Sequence, residues 1–256
     1  LIDAADAGTP LSVSAGGTQG ANTAEAISNE VVIAEAPPAQ ASTPTFLLPP
    51  PAANYDNTST ASATMDLSAG SAGDTVLIHY GTDSASAPVA LTVGGQAMTL
   101  IASAAAGANG NKTSGYLYEL VLTGNGSADA SIAVDLGTSR SNGHIFVGAI
   151  VSGGTRVAAD GDQTATAEVL STSVAPTVSQ NLVLSLVSGY SDRMNGNEDW
   201  SGTNVVGSRL AAFFGSTCAS AEDVSAQPFI STLQIDGGAP SWQHGASMTT
   251  VAFDGV

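Results

Sequence analysis

Cations are what this chain has least of: five lysines and arginines stand against 22 aspartates and glutamates in 256 residues. The net charge is −17, yet only 11% of the residues are charged. The surface must then be covered mainly by hydroxyls, amides, glycine backbone and alanine. A surface with so few cations neutralises no phosphates, which argues against nucleic acid and anionic membrane as partners. Cysteine occurs once, at Cys218. That excludes an internal disulfide and reads as a small buried hydrophobe beside Phe213 and Phe214 rather than a reactive thiol. Aromatic residues are only 5% of the chain. The core is therefore expected from Val, Ile, Leu and Ala, with stability resting on many strands and full backbone pairing. No apolar run approaches the roughly 20 residues that span a bilayer, so no membrane insertion is expected. A chain opening on Leu1 is expected either to have lost an upstream segment or to start inside a longer product.

What is there divides at about residue 53. Residues 1–53 are read as an extended Pro/Ala-rich arm, because Pro37-Pro38, Pro44 and Pro49-Pro50-Pro51 remove backbone donors and favour polyproline II over helix. Two apolar bursts interrupt the arm, Val31-Val32-Ile33 and Phe46-Leu47-Leu48. A free linker has no use for them. Val32, Ile33, Phe46, Leu47 and Leu48 are therefore the expected assembly anchors, lying on a neighbouring subunit or on the chain's own domain.

Residues 54–256 carry short β-branched runs punctuated by Gly, Asn, Asp and Ser. Twelve strands are expected: Thr58–Leu67, Thr75–Tyr80, Val89–Val93, Met98–Ala102, Tyr116–Leu122, Ser131–Leu136, His144–Val151, Ala165–Thr172, Leu182–Ser188, Val205–Phe214, Phe229–Ile235 and Ser247–Phe253. The fold class is all-β, an antiparallel sandwich, with a division into two sub-sheets expected near 155–165. Gly94-Gly95 marks a tight hairpin, since positive φ is cheap only for glycine. Asp160-Gly161-Asp162 reads as another hairpin turn. A match between residues 11–19 and 91–96 is too slight to define a repeat.

Three features resemble a family of jelly-roll-like β-sandwich modules found in tailed-phage virion proteins and bacterial surface proteins. They are Asp74-Thr75-Val76-Leu77-Ile78, the strand–Gly-Gly–strand run Leu91–Leu100, and the aromatic strand Tyr116-Leu117-Tyr118-Glu119-Leu120 followed by Ile145–Val151 and Asn181-Leu182-Val183-Leu184. The resemblance covers residues 58–256 and rests on fold signatures, which carry no chemistry. It implies strands that display loops outward from a capsid decoration, fibre or spike.

Residues that could carry chemistry are sparse. Asp192, Asn195, Asn197 and Asp199 place oxygen ligands at short spacing around Gly196, a weak calcium site with Arg193 set inside it as a competing cation. Otherwise no cofactor or metal is expected. Trp200 and Trp242 are weak glycan contacts, with loop amides beside them. His79, His144 and His244 lack ligand spacing and are expected to be hydrogen-bonded structural residues. Glu119 and Asp135 would form a glycosidase pair only if the fold brought them together. There is no G-x-S-x-G elbow and no phosphate or dinucleotide loop. The expectation is a non-enzymatic structural protein of a phage exterior, attached by its arm to other virion proteins and oligomeric, a trimer being favoured. The alternatives are a secreted bacterial surface or filament subunit and an adhesin that binds a host-surface glycan.

Overall fold

A computed structural model describes residues 41–54, 57–84, 86–105, 113–164, 169–190, 199–201, 204–205, 214–225, 228–234 and 245–256. They belong to a compact unit running from Ala41 to Val256. In chain order the strands are β1 (Thr45–Leu47), β2 (Ala52–Asn54), β3 (Thr60–Met65), β4 (Thr75–Thr82), β5 (Ala90–Val93), β6 (Gln96–Ala97), β7 (Thr99–Ala104), β8 (Ser114–Val121), β9 (Ala130–Asp135) and β10 (His144–Ser152). After Gly153 follow β11 (Gly154–Thr164), β12 (Val169–Val174), β13 (Asn181–Tyr190), β14 (Asp199–Ser201), β15 (Asn204–Val205), β16 (Phe214–Glu222), β17 (Phe229–Gln234) and β18 (Ala246–Gly255). The described residues are all-β, and every pairing is antiparallel.

Four sheets form. The first half of the unit makes an inner sheet, β1-β10-β4-β8-β7 with β2 also on β10, and an outer sheet, β3-β9-β5-β6. The second half makes an inner sheet, β11-β18-β13-β16-β15, and an outer sheet, β12-β17-β14. Taking β1 and β2 together as one interrupted edge, and β6 with β7 as one strand that passes from the outer sheet to the inner, the two halves share one plan. In each, the first strand lies beside the last, the third lies between the last and the sixth, and the second and fourth flank the seventh in the other sheet. That is the strand order of a jelly roll. The chain builds the plan twice, and the halves meet at Gly153 in the left-handed region (φ 74°).

The burial pattern orders the layers. Val76, Ile78, Tyr80, Tyr116, Tyr118 and Phe146 of the first inner sheet pack with Met65, Leu91, Ile132 and Val134 of the first outer sheet. The opposite face of the same inner sheet presents Leu77, Leu117, Ile145, Val147 and Val151 to Leu182, Leu184, Leu186, Val251 and Phe253 of the second inner sheet. The far face of that sheet packs Val187 and Met248 on Leu170 and Leu233, and Val183 and Ala252 on Val174, of the second outer sheet. Two jelly rolls therefore stand back to back as a four-layer stack. Each fully buried Leu or Ile contributes about 1.5–3 kcal/mol.

This layering explains two kinds of strand. All eight residues of β4 are buried, as are the first nine of β18, because both faces of an inner sheet are covered. The outer strands alternate instead: Ile132 and Val134 of β9 point inward, while Ser131, Ala133 and Asp135 are exposed. The Gly94-Gly95 turn joins β5 to β6 with both glycines at positive φ (58° and 78°), the type I′ requirement.

One expectation needs correction. Asp160-Gly161-Asp162 is not a turn: it lies within β11, paired with Thr250, Thr249 and Met248 of β18. Of the strand expected at Val205–Phe214, the ends fall in β15 and β16, and residues 206–213 lie outside the described residues. Residues 45–54 lie on the chain's own sandwich, one of the two placements expected for the arm anchors. Phe46 lies opposite Val151 and Ala53 opposite Ile145, so β1 and β2 form the edge of the first inner sheet. Pro49-Pro50-Pro51 breaks this edge in two because proline has no donor for the ladder.

Candidate functional site

The most chemically distinctive place among the described residues is the joint between the two inner sheets. His79 sits in the middle of β4, fully buried, between Val147 on β10 and Leu117 on β8. Its ring reaches across to the second jelly roll. Nδ1 lies 2.8 Å from Thr249 Oγ1, and Nε2 lies 2.9 Å from Ser188 Oγ. Ser188 Oγ in turn lies 3.2 Å from Ser247 Oγ. Loss of hydration lowers the imidazole pKa to about 3, so the ring is neutral at pH 7. Two glycines make room for this contact. A Cβ on Gly115 would meet His79 Cε1 and Ser247 Oγ, each at 2.5 Å, and one on Gly81 would run into Ser188.

The joint is closed at one margin by an ion pair. Arg156 of β11 donates through Nε and Nη2 to Glu119 of β8, at 2.6 and 2.7 Å. The bidentate fork raises the Arg156 pKa further. Asp135 stands on a different sheet, where its Oδ1 accepts the Gly137 N–H at 2.7 Å. Glu119 and Asp135 therefore do not form a hydrolytic pair.

A second buried histidine lies inside the first jelly roll. His144 Nδ1 is 2.6 Å from the Tyr80 hydroxyl and Nε2 is 3.3 Å from Thr58 Oγ1. Both His79 and His144 thus have the hydrogen-bonded structural placement expected of them. Cys218 is buried in the joint, with its thiol pushed up to about 12 by burial, which suits a small core residue and not a nucleophile.

The acidic pair of β11 has an edge-sealing role. Asp160 Oδ2 accepts the Ser173 N–H and Asp162 Oδ2 accepts the Ser171 N–H, each at 2.8 Å. β12 is an edge of the second outer sheet, and these carboxylates occupy donors that would otherwise invite a foreign strand. The sequence signal was available, as acidic residues spaced two apart share one face of a strand, but the intervening glycine favoured a turn.

The remaining sequence candidates are dispersed. Asp192, Asn195, Asn197, Trp242, His244, Val32 and Ile33 lie outside the described residues. Asp199 and Trp200 enter β14, their backbone paired with Gln234 and Leu233, and their side chains lie outside the described set. Of the arm anchors, Phe46 and Leu48 pack half-buried against the joint within this chain, while Leu47 is 54% exposed. A shallow cleft of about 400 Å³ on the first outer sheet is floored by Thr60, Ser62, Ala90, Thr92 and Ala133 beside Asp135. Among the described residues no three His, Cys, Asp or Glu side chains gather at metal-binding distance. No protein-family model, curated protein or solved structure matches the chain.

Proposed function

We propose that this chain is a non-enzymatic structural subunit of an exterior assembly, in the first place the surface of a tailed-phage particle, where it serves as a decoration, fibre or spike component. The observation that carries the reading is the duplicated jelly roll fused back to back. Jelly rolls recur in capsid shells and lectins, and two sharing one buried joint make a stiff slab with polar outer faces. An acidic, cation-poor exterior keeps such slabs soluble at high local concentration. Residues N-terminal to Ala41 then serve as the attachment arm, with β1 and β2 as its root on the inner sheet. Other assembly proteins are the partners, and a trimer is the expected symmetry.

A second reading has one specific observation in its favour. The edge of the first inner sheet is completed by β1 and β2, which arrive from the N-terminal segment across the break at Pro49–Pro51. The same strands exchanged between copies would give a filament on a bacterial surface. Electron microscopy of the native material separates the two. Copies arrayed on a head or tail support the first reading, and a continuous homopolymer supports the second. Removal of residues 1–40 is expected to abolish attachment while leaving the unit from Ala41 to Val256 folded. A truncated chain that still decorates its particle fully overturns the arm assignment.

A further inference from the structure

We propose that His79 is an acid-sensitive latch: protonation of its ring weakens the joint between the two inner sheets and favours their parting, while each jelly roll keeps its own sheets and core. His79 is the ionisable side chain that crosses the centre of the joint, fully buried, with both nitrogens bonded to hydroxyls of the second jelly roll. In the neutral ring one nitrogen donates and the other accepts, and Ser188 and Thr249 serve either role. A protonated ring donates twice, and the two hydroxyls accept both bonds, but they supply no counter-charge.

Among the described residues nothing else facing the ring supplies one. Across the joint, β13 and β18 present Ser188, Ser247 and Thr249. Within the inner sheet its neighbours are Val147 of β10 and Leu117 of β8, with Gly115 against the ring. The ionisable groups on adjoining segments are otherwise engaged. Glu119 is held by Arg156, Asp83 accepts from Ser141 and Asn142, and the buried Cys218 thiol stays protonated. A cation set among Leu77, Leu117 and Leu184 without an anion carries a large desolvation penalty. Opening the joint lets water reach the ring. The two jelly rolls keep separate cores on the far faces of their inner sheets, so opening need not unfold either.

The direction with pH follows from linkage. Above pH 6.5 the ring is neutral in closed and open forms, and pH has no effect through it. Below 6.5 the open form binds a proton that the closed form refuses, so the open form gains tenfold per pH unit. From pH 6.5 to 4.5 that is about a hundredfold.

The test follows the full chain and His79→Gln from pH 7.5 to 4 by small-angle scattering and far-ultraviolet circular dichroism, with the ring's own protonation read by NMR. The expected result is expansion of the wild-type particle on acidification with its strand signal retained, and a variant that stays closed over the same range. Equal opening of wild type and variant overturns the proposal. So does a wild type that stays closed to pH 4, or a strand signal that collapses together with ring protonation. Should His79→Gln fail to fold, the wild-type ring decides. Protonation displaced below 6.5 and coincident with expansion supports the latch, and a midpoint near 6.5 in the closed protein sinks it.

Discussion

The two jelly rolls follow the same strand order around different interiors. The first is filled by large side chains: Tyr80, Tyr116, Tyr118 and Phe146 lie among Leu, Ile and Met. The second has aliphatic groups without a ring among them, Leu170, Val187, Ala219, Leu233, Ala246 and Met248, with hydroxyls threaded between them. Ser185 Oγ donates to Ser231 Oγ at 2.7 Å and lies 2.8 Å from Thr250 Oγ1, which is 2.5 Å from Thr172 Oγ1. The fold therefore tolerates two solutions to one packing problem. Rings fill volume by dispersion contacts, while hydroxyl chains fill it only if every member finds a partner. Even the first interior is not wholly satisfied. The Tyr118 hydroxyl has no hydrogen-bond partner among the described residues, and burial raises its pKa to about 12.

The comparison is broken most strongly by emptying the aromatic core. Phe146→Ala is expected to cost about 3–5 kcal/mol, and Met248→Ala, the third residue of the matching strand β18, about 2–5 kcal/mol at the lower end because a methionine site collapses more readily. Denaturant unfolding of both variants measures the difference. Equal losses would mean that the two cores are equivalent despite their composition. Next is the joint, which both halves share. Gly115→Val forces a side chain into His79 and Ser247 and is expected to cost about 1–3 kcal/mol. An unchanged melting temperature would show that the joint is looser than its geometry implies.

A finer probe is Thr250→Val, which keeps the shape but removes a partner from Thr172 and Ser185. About 1–3 kcal/mol is expected, since a buried hydroxyl left unpaired costs more than its bond is worth. A matched Tyr118→Phe change in the first jelly roll removes a hydroxyl that has no partner among the described residues and is expected to be neutral or stabilising, so the pair tests the contrast between the interiors directly. The smallest effect is assigned to Arg156→Ala. The side chains of the pair are 33% and 19% exposed, so about 1 kcal/mol after discounting for screening is expected, shrinking as salt is raised. A loss that is insensitive to salt would instead indicate packing by the arginine stem.

Much of this was legible beforehand. The expected strands at Thr75–Tyr80, Tyr116–Leu122, His144–Val151, Leu182–Ser188 and Ser247–Phe253 all fall on observed inner strands, because double-sided burial leaves continuous apolar or hydroxyl runs. The duplication was not legible from residue identity, since the two cores share so little. One trace survives in the closing strands, β10 between Gly143 and Gly153 and β18 between Gly245 and Gly255, with the same interval in each. The His79 cluster was hidden for a different reason. Its partners Ser188 and Thr249 lie 109 and 170 residues away in the chain, and no local pattern distinguishes them from the many other serines and threonines.

The sequence by itself determined an all-β chain with an anionic exterior, its alternating outer strands and its Gly94-Gly95 turn, because these follow from side-chain polarity and backbone freedom within a few residues. Only the tertiary structure decided that there are two jelly rolls, that they meet back to back, and that a histidine lies uncharged in their joint. Those outcomes depend on which faces of distant strands meet and exclude water, a property of pairs of residues far apart in the chain.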